Sequence, residues 1–186
     1  MIPGTLRGQL LVATPPLVDP NFDRTVVLVL EHNDDGALGL VLNRPSEARL
    51  VDALPDWHTH GAEPGVVFLG GPVSTDAVIG MALVSGDDAE PESFTPLFLG
   101  LGTVDLSRDP ADLEGLQMVR VFAGYSGWGS GQLEAEMEVG AWISLDAAVG
   151  DVFIGTPEQL WRTVLIRQGG QLAQLGRLFP DDPSFN

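Results

Sequence analysis

Short apolar runs separated by turn residues dominate this chain and predict a protein in which strands outnumber helices. The run Thr25–Glu31, T-V-V-L-V-L-E, is continuously aliphatic and β-branched, which is typical of a strand buried on both faces. His32–Gly36 has the composition of a turn, and Ala37–Leu42 resumes the apolar run. The two runs therefore predict a β-hairpin with a five-residue loop.

Further extended segments are predicted on both sides of this hairpin. The first ends at Thr14-Pro15-Pro16, because proline fixes φ and lacks an amide donor. The segments predicted to be extended are 6–13, 66–69, 78–84, 97–106, 118–123, 141–145 and 151–154.

Capping residues predict the helices. Ser46 is a candidate N-cap for a short helix over Ser46–Leu54, and Thr156-Pro157 begins a second helix with an apolar stripe. Shorter helices are predicted at 109–115, 132–138 and 172–179. No repeat or linker interrupts the pattern, so we expect a single α+β domain over residues 1–186.

The composition is that of a soluble globular chain of 186 residues with 44% hydrophobic and 19% charged residues. There is no cysteine, which excludes disulfides and thiolate metal sites. The N-terminus lacks the apolar core of a signal peptide, and no apolar run approaches the ~20 residues that cross a bilayer. We therefore expect a cytoplasmic protein without membrane partners.

The basic residues narrow the function further. All nine are arginines, so the chain lacks the lysine of a P-loop or of Schiff-base chemistry. The formal net charge of −17 disfavours contact with nucleic acid, whose binding depends on neutralising phosphates. We expect no direct nucleic-acid partner.

The stretch Gly124–Glu134, G-Y-S-G-W-G-S-G-Q-L-E, is predicted to be a loop between a strand and a helix. Glycine lets a second backbone or a ligand approach closely, and a loop that enters a helix presents free amide groups. The stretch matches neither the G-x-S-x-G elbow nor the G-x-G-x-x-G fingerprint. It is either a tight connection packed under aromatic rings or a ligand site. The ligand-site residues would be Gly124, Tyr125, Ser126, Gly127, Trp128, Gly129, Ser130 and Gly131.

A second candidate site is the turn Asp19–Arg24, D-P-N-F-D-R, together with Arg44. An arginine presents five donors in a fixed fork, so it can hold several loops or an anion. One hypothesis makes Arg24 and Arg44 structural clamps paired with Asp19, Asp23 or Glu31. The other makes Asp19, Asn21, Arg24 and Arg44 part of a ligand site.

The sequence offers no convincing metal ligands or catalytic residues. His58-x-His60 has a usable spacing on a strand, but the segment is predicted to be a loop and a third ligand is lacking. Glu134, Glu136 and Glu138 alternate as a solvated face would. We therefore assign no metal ligand, no cofactor and no catalytic residue.

Several long blocks resemble the bacterial YqgE/AlgH family, also called UPF0301 or DUF179. The blocks, which cover nearly the whole chain, lie at 8–33, 36–45, 68–73, 121–136, 140–142 and 181–186. The resemblance implies a compact α+β domain whose bifurcated, mostly antiparallel sheet folds into a pseudo-barrel flanked by helices. It implies little about activity, because one branch is labelled a transcriptional regulator and the family offers no established catalytic residues.

The first hypothesis is therefore a non-enzymatic protein that binds a small ligand or a protein partner through the glycine-rich loop, the Asp19–Arg24 turn and Arg44. A transcriptional regulator that acts indirectly is one alternative. An enzyme of unknown class that uses Ser126, Ser130 or Asp23 is another, and it would need a perturbed titratable group in an enclosed pocket.

Overall fold

Ten strands form one sheet in the described part of this computed structural model, residues 4–15, 19–86 and 92–179. The strands are β1 (Gln9–Ala13), β2 (Val26–Asn33), β3 (Gly36–Val41), β4 (Pro45–Arg49), β5 (Val66–Leu69), β6 (Val73–Val84), β7 (Phe94–Phe98), β8 (Leu101–Val104), β9 (Leu116–Gly129) and β10 (Trp142–Asp146). The α-helices are α1 (Leu50–Ala53), α2 (Gln132–Glu138), α3 (Val149–Val152), α4 (Leu160–Gln168) and α5 (Gly170–Leu178).

The long strand β9 makes the sheet fork. The main path runs β10-β1-β2-β3-β9-β6-β8-β7, while β5 pairs with β9 in parallel and β4 pairs with β5. On one side, β9 pairs with β5 at Phe122 and Ala123 and then with β3 from Ser126 to Gly129. The predicted fold class is confirmed: a single α+β domain with a bifurcated, mostly antiparallel sheet curled into a half-barrel with flanking helices.

Within the described ranges, three clusters of buried apolar residues hold the sheet and helices together. The largest fills the half-barrel, where Leu28, Met81 and Phe122 pack with Trp161 and Leu165 of α4. A second surrounds Trp128, Trp142 and Leu133 under α2, and a third surrounds Trp57, Val119 and Val121 beside α1. Both faces of β9 are thus buried along much of its length, which explains its apolar sequence.

The β2–β3 hairpin is present, but its predicted loop is too long. Asn33 pairs with Gly36, so the turn contains two residues, Asp34 and Asp35. The side chain of Asn33 accepts the amide of Asp35 at 2.8 Å, which closes the turn locally. His32 belongs to the strand, where it pairs with Ala37, and its ring accepts the Leu6 amide at 3.0 Å.

Two local predictions are wrong, one because of a tertiary contact and one because of a local cap. Ser46 lies in β4 and its hydroxyl donates to the Val67 carbonyl of β5 at 2.6 Å, so the helix starts later, at Leu50. The predicted strand 151–154 is largely replaced by α3, where Asp151 accepts the Ala148 amide at 2.8 Å. Helices 132–138 and 172–179 are confirmed as α2 and α5. Of the acidic segment 86–96, residues 87–91 lie outside the described residues, and β7 begins at Phe94.

Arg120, on β9, is a buried clamp that the sequence did not reveal. Its side chain is 2% exposed, stacks 4.2 Å from the Phe68 ring and donates to the carbonyls of Val152, Ile154 and Glu63. Burial lowers the pKa of Arg120 to about 10, so the guanidinium stays charged at neutral pH. The residue therefore fixes two loops against the sheet.

Candidate functional site

The glycine-rich stretch is mainly a strand, and its prediction as a loop is wrong. β9 continues through Gly124–Gly129, and the turn into α2 contains Ser130 and Gly131. The reason is tertiary pairing, since β3 supplies ladder partners for Ser126 to Gly129. Glycine is depleted in strands, so residue propensities predict a loop here. They carry no information about the distant strand that pairs with this stretch.

The glycines in this part of β9 permit a close approach of two backbones. A Cβ on Gly124 (φ +70°) would lie 2.4 Å from the Gly71 carbonyl oxygen. A Cβ on Gly71 (φ +155°) would lie 2.2 Å from the Tyr125 carbonyl group. The second backbone is therefore the Gly70–Gly71 segment, and no ligand is needed to explain these two glycines.

The two serines of the stretch form hydrogen bonds to neighbouring backbone segments. Ser126 is fully buried and its hydroxyl donates to the Gly70 carbonyl at 3.1 Å. The exposed Ser130 donates to the Asp34 carbonyl at 2.6 Å and joins the stretch to the hairpin turn. A nucleophile must reach its substrate, so the burial of Ser126 removes it from the catalytic hypothesis.

Trp128 and Glu136 form an unexpected polar centre in the second cluster. One carboxylate oxygen of Glu136 accepts the indole N–H groups of both Trp128 and Trp142, each at 2.9 Å. The Trp128 and Trp142 rings meet edge to face at 5.9 Å. Glu136 is thus a structural acceptor between α2, β9 and β10, and its predicted place on a solvated face is wrong.

Glu134 has a partner as well. Its carboxylate lies 2.6 Å from Nε2 of His32, while Nδ1 of His32 accepts the Leu6 amide. The Leu6 donor places the His32 proton on Nε2, so neutral His32 donates to Glu134. Its own backbone amide and His32 lower the pKa of Glu134.

The Asp19–Arg24 turn lies against the glycine-rich stretch through its Phe22 ring. Asp19 accepts the Asn21 amide at 2.8 Å, which fixes the turn. The Phe22 ring lies 6.2 Å from the Trp128 ring and 5.5 Å from the Trp142 ring, which joins the turn to the second cluster. Asn21 is left on the surface.

Arg24 and Arg44 have separate surroundings. The Arg24 guanidinium stacks 5.6 Å from Trp161 and 5.7 Å from Phe179, beside α4 and α5. Arg44 donates to the Asp23 carbonyl at 2.8 Å and the Pro20 carbonyl at 3.4 Å. The predicted clamp at Arg44 therefore binds backbone carbonyls where carboxylates were expected.

Burial lowers the pKa of Arg44, and the nearby Asp23 charge opposes that shift. The side chain nevertheless remains a cation at neutral pH, because guanidinium groups titrate far above it. Two of its five N–H groups serve the Asp19–Arg24 turn, which leaves donors for another acceptor.

A cleft of about 220 Å³ opens beside this guanidinium and is called the Arg44 cleft. It is lined by Pro20, Asn21, Val41, Arg44, Leu69, Gly71, Pro72 and Thr75. Of the predicted site residues, Asn21 and Arg44 line it directly. The glycine-rich stretch contributes indirectly, by packing beneath Gly71.

An exposed apolar row borders the Arg44 cleft. Leu69 of β5 and Val78 of β6 both pair with Ala123 of β9, so the three side chains share one face of the sheet. Val73 pairs with Tyr125 beyond a register shift, and Tyr125 packs against the half-barrel cluster, so this pair lies on the other face of the sheet. We call Leu69, Val78 and Ala123 the Leu69 surface.

The Leu69 surface is the uncovered end of an otherwise buried sheet face. Leu50, Trp57 and Leu113 pack over the preceding residues of this face, including Val67 and Val121. Beyond them, Leu69 is 50% and Val78 48% exposed. The sequence does not reveal this surface, because apolar residues alternate in the same way along the covered and the uncovered part of a strand.

His58 and His60 do not have the strand spacing that a metal hypothesis would require. They lie in a 3-10 turn, where His58 hydrogen-bonds the Pro55 carbonyl at 2.6 Å. Across the described ranges, no three His, Asp or Glu side chains are grouped so as to hold a metal ion. No helix within those ranges is long and apolar enough to span a bilayer.

Comparisons with known proteins agree with the fold and its sequence blocks. Residues 10–173 match the model of the DUF179 family, described as AlgH-like. A UPF0301 protein of Streptomyces avermitilis is 49% identical over 98% of this chain and 96% of its own length. A UPF0301 protein of Thermobifida fusca is 48% identical over the same shares.

Two solved structures share the architecture. A protein from Corynebacterium diphtheriae superposes with a TM-score of 0.87 at 28% identity, covering 93% of this chain and 92% of that one. The AlgH protein of Pseudomonas aeruginosa superposes with a TM-score of 0.70 at 33% identity, covering 94% and 95%.

Proposed function

The chain belongs to the AlgH-like DUF179 family, and from this premise we propose that it is a binding protein whose Leu69 surface and Arg44 cleft receive a protein partner. The observation that carries the proposal is the exposed apolar pair of Leu69 and Val78 beside a cationic cleft. Apolar groups rimmed by polar ones are typical of protein contact sites.

The partner contributes apolar side chains and one acceptor oxygen. Its apolar side chains cover Leu69 and Val78, which lie on either side of Ala123. Its acceptor, a backbone carbonyl or a single carboxylate, receives the remaining N–H groups of Arg44. A cleft of about 220 Å³ is below the usual size of a drug-sized ligand site and suits one protruding side chain.

The net charge of −17 restricts the partner's overall charge. A strongly acidic partner would be repelled during approach, so the contacting segment is neutral or basic around its one acceptor group. An indirect regulatory role is compatible with such a partner.

Capture from the native host with matched variants tests this proposal. Leu69→Ser combined with Val78→Ser removes the apolar row, while Leu99→Ser combined with Val139→Ser changes two equally apolar residues that are 85% and 82% exposed elsewhere. Quantitative mass spectrometry should find a protein captured by the wild type and the control pair but lost from the site pair. Arg44→Ala should weaken the same capture in protein that circular dichroism shows to be folded.

Equal recovery of every protein by the wild type and the site pair would show that the surface has been misplaced.

A further inference from the structure

A second cavity, on the opposite face of the sheet from the Leu69 surface, lies at the rim of the half-barrel. It has a volume of about 290 Å³ and lies where the largest apolar cluster reaches the edge of the sheet. Its apolar lining comes from Leu30, Leu38, Ile79 and Leu97. Its remaining lining residues are Arg7, Glu31, Thr95, Pro96 and Thr103.

A β-bulge in β2 places a carboxylate at this cavity. The register shifts between Val29 and Glu31, so Leu30 is an extra residue in the strand. Glu31 pairs with Leu38, and paired residues share a face, so Glu31 lies on the same side as Leu30. Without the bulge, alternation would place Glu31 on the opposite face.

A second bulge shapes the opposite wall. The β7 register shifts between Pro96 and Phe98, so both Leu97 and Phe98 pack against the half-barrel cluster. Thr95 and Thr103 are paired across β7 and β8, which places both side chains on this side. Bulges are over-represented beside functional sites, where they redirect side chains.

Arg7 supplies the cationic side of the rim. Its Nη2 donates to the Pro96 carbonyl at 3.1 Å, which holds the guanidinium at the cavity and leaves further donors. Among the described residues, Arg7 and Glu31 form no ion pair with each other or with other groups. One cation and one anion therefore border the same apolar cavity without neutralising each other.

We propose that this cavity binds a free α-amino acid with an apolar side chain. The α-carboxylate accepts from Arg7, the α-ammonium donates to Glu31, and the side chain enters the space between Leu30, Leu38, Ile79 and Leu97. The volume of about 290 Å³ suits one such molecule and excludes a dinucleotide. The inference goes beyond the partner-binding proposal and is independent of it.

Charge selects a zwitterion over simpler ligands. A carboxylic acid without an amine would face Glu31 and a molecule of net charge −17. An amine without a carboxylate would face Arg7. A zwitterion satisfies both rim charges and has no net charge to be repelled.

Titration calorimetry with L-leucine, L-isoleucine, L-methionine and L-phenylalanine tests the proposal. At least one should bind, while glycine, 4-methylpentanoate and isoamylamine, which each lack one recognised group, should bind about tenfold or more weakly. Arg7→Gln and Glu31→Gln should each weaken binding by a similar factor. Both side chains are exposed, so both variants should remain folded.

The matched controls are two substitutions on β4, Arg49→Gln and Glu47→Gln. A third control is the double variant Leu69→Ser, Val78→Ser. All three proteins should bind the amino acid as the wild type does. The proposal is overturned if no amino acid binds at up to about 10 mM, where a millimolar complex is largely saturated. It is also overturned if Arg7→Gln and Glu31→Gln bind as well as the wild type, or if the analogues equal the amino acid.

Discussion

Position 124 requires glycine because neighbouring backbone occupies the space that a Cβ atom would need. The Gly71 carbonyl lies on that side and φ is +70°, so both contact and conformation disfavour alanine. Gly129, five residues along the same strand, is exposed, and a Cβ there would find its nearest atom at 3.9 Å. Two glycines of one motif thus carry different constraints.

We predict that Gly124→Ala lowers the free energy of unfolding by about 2–4 kcal/mol, through steric contact and a left-handed φ. Gly129→Ala should change it by less than about 1 kcal/mol. Urea denaturation of both variants measures the difference. If both variants lose the same free energy of unfolding, close backbone packing is not the reason for glycine at position 124.

Arg120 makes a second prediction at the residue scale. Arg120→Met keeps the length of the side chain but leaves the carbonyls of Val152, Ile154 and Glu63 without their donor. The unfolding free energy should fall by about 2–4 kcal/mol. Arg108→Met, which removes exposed ion pairs of 3.9 and 4.0 Å, should cost less than about 1 kcal/mol. A stable Arg120→Met protein would contradict the clamp.

At the scale of elements, α2 is held to the sheet by polar contacts that its amphipathic pattern conceals. Glu136 joins it to β9 and β10 through two indoles, and Glu134 joins it to β2 through His32. The sequence predicted the bounds of α2 correctly because helical periodicity is a local property of the chain. It predicted the partners of Glu134 and Glu136 poorly because those partners are distant along the chain.

Glu136→Ala removes the acceptor of two indole N–H groups. We expect a loss of about 2–3 kcal/mol in unfolding free energy and a red shift of tryptophan emission as water replaces the carboxylate. Glu138→Ala, an exposed neighbour on α2, should leave both quantities nearly unchanged. If the two variants have the same emission and stability, the shared carboxylate is not a structural acceptor.

The Glu134–His32 contact gives a pH dependence. Because the pKa of Glu134 is lower in the folded than in the unfolded chain, the unfolded chain binds its proton more readily. The contribution is therefore present above the ordinary glutamate pKa of about 4.3 and is lost as pH falls through the lower folded value. The stability gap between wild type and Glu134→Gln should shrink as pH falls from about 5.5 to 3. A difference in stability between the two proteins that grows as the pH falls would contradict this prediction.

The same distinction between local and distant information explains what could be predicted at each candidate site. The turn Asp19–Arg24 is a local feature, and its Asx contact follows from the residues alone. The pairing of β9 with both β3 and β5 is distant, so the glycine-rich strand was mistaken for a loop. The bulges at Leu30 and Leu97 leave no mark in the sequence, and they shape the rim cavity.

At the scale of the whole molecule, charge and surface oppose a direct role at DNA. The arginines of α4 contact protein groups: Arg167 binds both carboxylate oxygens of Asp151 at 2.8 and 2.9 Å, and Nε of Arg162 donates to Gly176. The net charge is −17, and none of the described helices carries more than two arginines with which to read a groove. We therefore propose that recognition falls to the local surfaces around Leu69 and Arg44.

Site-specific photo-cross-linking in the native host tests that central claim most directly. A photoreactive residue placed at Thr75, in the Arg44 cleft, should form a discrete adduct with a protein partner. The same residue at Val139, which is exposed at the C-terminal end of α2, should not. Adducts from Thr75 that disappear when Leu69 and Val78 are changed to serine are the predicted result; a partner that cross-links from Val139 and not from Thr75 would contradict it.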